Sequence, residues 1–470
     1  MQGCNRLLFS ACVLCSTLFA NCQVLRNDFY PAGKVIDTVR CRDNARFRYS
    51  LYLPSNYSDT LKWPVIFVFD PMARSKLATT GFVPAAEKYG YIIACSGNSR
   101  NQVPWEELLP AINAMFSDVQ SKFAIDTLQV YTAGFSGGAR IASAIALQNT
   151  IFSGVIACGA GLPGSVGADN FRSFNLIGFA GVRDMNYVEM CELEKFLANE
   201  GSNMELRIFD GGHEWPSPDQ LTGAIEWLRL QAMRAGKKKK DEEFLKGQFI
   251  HYQHTADSRL RNGDLTEAAN QYQYILRYFP DNRSVSAIRK RLDSLKVTKE
   301  YIRAVKERER SMEWETGKEK QISSEIFDAV QSGSPGDSIK NVVSGQLRTV
   351  KNMQNSKDPD EKNMSARILG FISLTCYEYG KNFYDRRDFR AASVFYGFQL
   401  IIDPENKALL LLHAKACAQC SDVEGCIHSL ERLVKLGYTM SDSLNDRAFD
   451  PVKNDGRFRK IERNLQAAAH

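Results

Sequence analysis

Between residues 40 and 230 the chain repeats one pattern, an apolar run of strand length followed by a helical segment. Strand-like runs fall at 47–54 (FRYSLYLP), 64–70 (PVIFVFD), 91–97, 127–134, 152–159, 174–181 and 204–212. Most are apolar throughout instead of at alternate positions. A strand with one wet face alternates, whereas a strand covered on both faces does not. Helical segments lie between the runs, at 83–89, 105–122, 137–148, 187–200 and 218–232. This alternation predicts an α/β fold, a doubly wound and mostly parallel sheet buried between helices.

A chain of 470 residues exceeds one ordinary core. The β pattern ends near residue 235, so the sheet-bearing domain is expected over 40–235. "RAGKKKKDEEF" (234–244) follows, and its charge predicts a solvated linker over 236–249. Residues 250–470 are expected to be all helical. Within them "NGDLTEAANQYQYILRYFPDN" (262–282) aligns with "RRDFRAASVFYGFQLIIDPEN" (386–406). Asp264 matches Asp388, Ala268 matches Ala392, Tyr272 matches Tyr396 and Pro280 matches Pro404. A weaker third unit starts at Asp422, 34 residues after Asp388. These segments resemble tetratricopeptide repeats, whose period is the same. The resemblance places repeats near 250–285, 370–405 and 406–438, with 286–369 charged and helical but without a clear repeat. It implies either internal packing or a groove for a protein or peptide partner.

The net charge of +6 is small for this length. Basic residues are dispersed apart from Lys237–Lys240, and aromatics do not interleave with them, which argues against a nucleic-acid partner. At the N-terminus Arg6 precedes a charge-free apolar run, Leu7–Ala20. That run is too short to span a bilayer and suits the core of a signal peptide. Cleavage after Cys22 makes 1–22 the leader and the mature chain periplasmic or secreted. The alternative is a lipoprotein anchored to a membrane at Cys22. Of 12 cysteines, four lie in the leader. Cys417-x-x-Cys420 lacks a second pair to complete a zinc site and sits in an alanine-rich helical run, so it reads as core. No metal-ligand spacing and no phosphate loop stand out, and no metal or cofactor is expected.

Gly134-Phe135-Ser136-Gly137-Gly138 fits the pattern G-x-S-x-G. Chance supplies that pattern about 0.15 times in a chain this long, so its context has to decide. Here it ends a predicted strand and opens a predicted helix, as a nucleophile at a sharp turn requires. The N–H of Gly137, at the helix start, would face an oxyanion formed at Ser136. A serine hydroxyl needs a base. His213 is the histidine within the α/β region, in the loop after the last strand and at the same sheet edge as Ser136. The third member should be an acid after an intervening strand. Asp184 follows the 174–181 run, and its role would be to orient the imidazole. Asp169 precedes that strand and falls on the wrong edge. Asp210 is close to His213 in sequence and could brace the loop instead.

The order Ser, Asp, His is that of the α/β-hydrolases, and residues 40–235 resemble that fold. "GFSGG", "GVRDMNY" and "GGHEWP" resemble the esterase branch that includes secreted feruloyl esterases, polyhydroxybutyrate depolymerases and esterase-D-like enzymes. The resemblance implies a serine hydrolase cleaving small-molecule or polymer-linked carboxylic esters through an acyl-enzyme. Many such enzymes carry a His-Gly pair after the early strand, where this chain reads "FDPMARS". Pro71 has no N–H, so the second oxyanion donor is expected at the backbone near Met72 or Ala73. Asn98, Arg100, Trp105 and Tyr187 lie at the same predicted edge and are expected to contact substrate. Without a lid-sized insertion the cleft should be open. Two other readings stand beside this one. A serine peptidase of prolyl-oligopeptidase type would share the catalytic fold, but the usual N-terminal propeller is not seen. A scaffold with an inactive hydrolase domain would leave the repeats as the working part.

Overall fold

The computed structural model describes residues 30–163, 174–199, 202–331, 337–439 and 441–468. The expected leader, Cys22 and Asp169 lie outside the described residues. The chain divides into two compact units, with the boundary between Glu307 and Arg308.

The first unit holds one eight-stranded sheet. Its strands are β1 (Val35–Arg40), β2 (Arg48–Tyr52), β3 (Trp63–Phe69), β4 (Ile92–Ser96), β5 (Ile125–Phe135), β6 (Phe152–Cys158), β7 (Asn175–Gly181) and β8 (Asn203–Phe209). Their order across the sheet is β1-β2-β4-β3-β5-β6-β7-β8. β1 and β2 run antiparallel, and β3 to β8 are parallel. The helices between them are α1 (Ser75–Tyr89), α2 (Trp105–Lys122), α3 (Gly137–Gln148), α4 (Tyr187–Asn199) and α5 (Pro218–Arg234). Alternate β3 side chains serve opposite layers. Ile66 and Val68 join the core formed with α1 and α5. Phe67 packs on Phe116 of α2, with ring centres 4.3 Å apart. Both faces are therefore covered, which is why β3 reads as a continuous apolar run.

The strand β1 was not anticipated. Its sequence, VIDTVR, leaves half its positions exposed, as an antiparallel edge strand does, and carries no apolar run to announce it.

Register decides what the sheet presents at one edge. Phe135 pairs with Cys158, Cys158 with Phe179, and Gly181 with Phe209. The residues that follow β5, β7 and β8 consequently leave the sheet side by side.

The first unit does not end at the charged stretch. Three more helices belong to it: α6 (Glu242–Arg261), α7 (Leu265–Tyr278) and α8 (Val285–Lys296). Residues 236–249 are not a free tether. Lys237 Nζ donates to Ser153 Oγ at 2.9 Å. Asp241 caps α6 through the Phe244 N–H and pairs with Arg229 at 3.0 Å. The charge run is a local signal, and it was outweighed by the apolar faces of α6 and α7. Tyr252, Tyr272 and Tyr278 join Trp227 of α5 in the same core, and fully burying a large side chain contributes about 2–3 kcal/mol. This helical layer also covers the open edge at β8, where Arg277 donates to the Met204 carbonyl at 3.0 Å. A polar seam runs beneath it. Glu205 of β8 accepts from Tyr252 Oη at 2.6 Å and from Arg207 Nε at 2.7 Å.

In the second unit the helices continue. α9 (Lys299–Gln331) crosses the boundary, and α10 (Asp337–Asn352), α11 (Pro359–Asp385), α12 (Phe389–Ile402), α13 (Lys407–Gln419), α14 (Val423–Lys435) and α15 (Gly456–Ala468) follow. One turn recurs between paired helices. Gly263, Arg387 and Ser421 all have left-handed backbone, with φ of 79°, 65° and 65°. Each is followed by an aspartate, Asp264, Asp388 or Asp422, whose side chain caps the next helix. The aspartates that align in sequence thus do the same work in three hairpins. Cys417 and Cys426 are buried in the core of the second unit, and burial pushes the Cys417 thiol far up.

Candidate active site

β5 ends at Phe135 and α3 begins at Gly137, which leaves Ser136 alone on the turn. Its backbone sits at φ 52°, ψ −123°. A left-handed conformation costs a residue with a side chain about 1–2 kcal/mol, so the surroundings must hold it. They do so by close approach. A Cβ on Gly138 would overlap the Phe69 carbonyl, and one on Gly134 would overlap the Gly138 carbonyl. The strand and helix therefore touch through glycine. The Ser136 N–H donates to the Cys158 carbonyl of β6 at 2.8 Å, which fixes the turn from the other side.

His213 lies in the loop after β8. Its Nε2 is 2.9 Å from Ser136 Oγ, and its Nδ1 is 2.8 Å from Asp184 Oδ1. Asp184 is fully buried and also accepts from the Asn186 N–H at 2.8 Å. Two backbone bonds join the acid loop to the histidine loop, Val182 N–H to Phe209 O and Arg183 N–H to Gly211 O, both 2.9 Å. Asp210 faces outward and pairs with Arg183 at 2.7 Å, so it braces the loops from outside. A hydroxyl on a base, and the base on a buried carboxylate, can deprotonate the hydroxyl and stabilise the imidazolium that results.

Three contributors to this geometry were not singled out in the sequence. Gly159, at the end of β6, has φ 65°. A Cβ there would lie 2.9 Å from the Phe135 ring, 3.0 Å from Asp184 Oδ2 and 3.1 Å from His213 Cε1. The glycine closing "FSGVIACG" was the available signal. Trp215, two residues after His213, packs on Phe135, which in turn lies tilted against His213 at 4.7 Å between ring centres. Trp215 Nε1 donates to Asp70 Oδ2 at 2.9 Å. Asp70, directly after β3, is fully buried and pairs with Arg74 at 2.9 Å. Burial pushes the Asp70 carboxyl up, but hydrogen bonds from Arg74, Trp215 and the backbone of Met72 and Arg74 outweigh it and hold the group below its ordinary value.

That same carboxylate corrects one expectation. The Met72 N–H donates to Asp70 Oδ1 at 2.9 Å, and the Ala73 N–H to the Asp70 carbonyl at 3.1 Å. Neither is free for an oxyanion. The Gly137 N–H, in the first turn of α3, has no intrahelical acceptor and adjoins Ser136.

The expected substrate contacts divide. Asn98 Oδ1 accepts from the Arg48 N–H at 2.9 Å, which ties the loop after β4 to β2 and engages the side chain in the fold. Arg100 is exposed and bridges Met72 through its backbone, beside Asp70. Trp105 opens α2 and Tyr187 opens α4, both half-buried, with the Tyr187 N–H on the Asp184 carbonyl at 2.8 Å. Among the described residues no group of three His, Cys, Asp or Glu side chains could hold a metal ion. No described helix is long and apolar enough to cross a membrane.

No family model matches this chain, and no curated protein matches it. Solved structures do. An S-formylglutathione hydrolase from Staphylococcus aureus is 14% identical, with a TM-score of 0.34, over 39% of this chain and 90% of that one. A ferulic acid esterase is 19% identical, with a TM-score of 0.34, over 42% of this chain and 97% of that one. Esterase B from Lactobacillus rhamnosis is 15% identical, with a TM-score of 0.36, over 44% of this chain and 90% of that one.

Proposed function

We propose that the first unit is an α/β-hydrolase that cleaves carboxylic esters through an acyl-enzyme on Ser136. The observation that carries this reading is the continuous chain Ser136 Oγ, His213 Nε2, His213 Nδ1, Asp184 Oδ1, with contacts of 2.9 and 2.8 Å. Support comes from the strand order and from the placement of the three residues after β5, β7 and β8. The left-handed backbone of Ser136 adds to it, because strain of this kind gathers at functional turns.

In this reading Ser136 Oγ attacks the acyl carbon while His213 Nε2 takes its proton. The imidazolium is held by Asp184 and returns the proton to the leaving alcohol. Water then attacks the acyl-enzyme with His213 again as base. The Gly137 N–H stabilises the oxyanion of both tetrahedral intermediates. Arg100, Trp105 and Tyr187 contact the substrate. The α6–α7 hairpin of the first unit and the helices of the second unit are each read as tetratricopeptide-like repeats, supported by the turn and aspartate cap shared by three hairpins. Their work is packing or the binding of a protein partner. Export to the periplasm or beyond, after removal of 1–22, rests on the charge-free run Leu7–Ala20.

Hydrolysis of a p-nitrophenyl ester tests the activity. The expected result is a rapid burst of nitrophenol equal to the enzyme present, absent in Ser136→Ala. Turnover that Ser136→Ala leaves intact would exclude this serine.

A further inference from the structure

We propose that the side-chain amide of Asn101 supplies the second hydrogen bond to the oxyanion. The inference rests on the serine-hydrolase reading above and deepens it.

One donor is in place at Gly137, and a tetrahedral intermediate needs more than one. The backbone of the loop after β3 is the expected source of the other. In this chain that source is closed. Pro71 has no N–H, the Met72 and Arg74 N–H groups donate to Asp70 Oδ1, and the Ala73 N–H donates to the Asp70 carbonyl. Between its carboxylate and its carbonyl, Asp70 has taken every N–H from Met72 to Arg74.

Asn101 stands at the opening this leaves. Its own N–H donates to the Pro71 carbonyl at 2.8 Å, which ties it to the β3 loop. Its carboxamide lies over Gly137, so closely that a Cβ on that glycine would overlap Oδ1. Among the described residues this carboxamide meets no hydrogen-bond partner of its own. A half-turn about its last bond exchanges the oxygen and the NH2 group, so the amide can present a donor beside the Gly137 N–H. A side chain at position 137 would expel the amide.

The backbone around this point is strained in a consistent way. Ala73, Gln102 and Ser136 have φ of 56°, 69° and 52°. The first lies in the β3 loop, the second beside Asn101, and the third is the nucleophile. Three left-handed residues with side chains, on three loops that meet at one place, are the mark of a site whose geometry is held against local preference.

The test is the rate at which a fluorophosphonate labels Ser136 in the full chain. Phosphonylation sets a P=O oxygen where the oxyanion would lie, so it reads the donors without knowledge of the natural ester. Asn101 is exposed, so its replacement should leave the fold intact, and circular dichroism with thermal melting checks this. Removing one oxyanion donor costs about 10²–10³-fold, so Asn101→Ala should label about 100-fold more slowly than wild type. Asn101→Asp keeps the shape but replaces the donor with a carboxylate, and should be slower still. A purely packing role predicts the reverse order, with Asn101→Asp close to wild type. Equal rates in wild type and Asn101→Ala would overturn the assignment while the serine-hydrolase reading stood. No labelling of wild-type Ser136 would remove both.

Discussion

Trp215 donates its indole N–H to Asp70 Oδ2 at 2.9 Å, and that bond ties the loop after β8 to the loop after β3. The first loop carries His213, and the second follows Phe69, whose carbonyl lies against Gly138. Phe135 fills the space between, packed at a tilt against both His213 and Trp215. Trp215→Phe keeps the ring and removes the bond. It should cost about 1.5–3 kcal/mol of stability, as expected for a hydrogen bond to a charged group. It should also lower kcat about tenfold with KM little changed, because the histidine loop loses a fixed point. Steady-state kinetics beside denaturant melts separate the two. A stability loss with unchanged kcat would make the bond purely structural. The Asp70 carboxyl is held below its ordinary value, so its contribution is present at neutral pH and is lost as pH falls through the lowered value.

Gly159→Ala places a methyl group against Phe135, Asp184 and His213 at once, in a backbone conformation that favours glycine. The expected outcome is about 1–2 kcal/mol of lost stability from the left-handed φ. Because a displacement of about 1 Å in a catalytic group can cost about 10²-fold, kcat should fall by that order. Full activity in this variant would show that the acid–histidine contact tolerates more movement than its packing suggests.

Glu194 of α4 accepts from the Tyr274 hydroxyl of α7 and from the Leu206 N–H of β8. Burial pushes its carboxyl up to about 7, against those two hydrogen bonds. The folded value lies above the unfolded one, so the stability this group permits is fully present below about 4.5 and is lost as pH rises through about 7. Wild type should lose about 3–4 kcal/mol across that window relative to Glu194→Gln, at about 1.4 kcal/mol per pH unit. Urea midpoints measured from about pH 4 to about pH 8 read the difference. Parallel curves for the two proteins would place the titration elsewhere.

In the second unit Arg367 grips Glu315 with two bonds, 2.7 and 2.6 Å, and both side chains are buried. Removing one partner leaves the other charged in the core. Arg367→Leu should destabilise this unit by about 3–5 kcal/mol, and adding Glu315→Leu should recover most of that loss. A double-mutant cycle by thermal melting gives the coupling. Independent, additive effects would contradict the pairing.

The sheet was legible because buried parallel strands leave continuous apolar runs, as in PVIFVFD and FSGVIACG. Ser136, Asp184 and His213 were legible for a topological reason. Each follows a strand in a parallel array, and parallel strands end at one edge. What escaped the sequence was side-chain commitment. Nothing in FDPMARS says that Asp70 turns back to take the Met72 and Arg74 N–H groups. Nothing in SGNSRN says that Asn98 faces Arg48 while Asn101 covers Gly137. The domain boundary was misplaced at 236–249 because four lysines in a row are conspicuous, whereas Tyr252, Tyr272 and Tyr278 share a core with Trp227 only in three dimensions.

Mass spectrometry of fluorophosphonate adducts, on wild type, Ser136→Ala and His213→Ala, tests the central claim most directly. The account predicts one adduct on the wild-type peptide that carries Ser136, none on Ser136→Ala, and near-complete loss in His213→Ala. A folded wild-type protein that takes no adduct, or takes one at another serine, would contradict it.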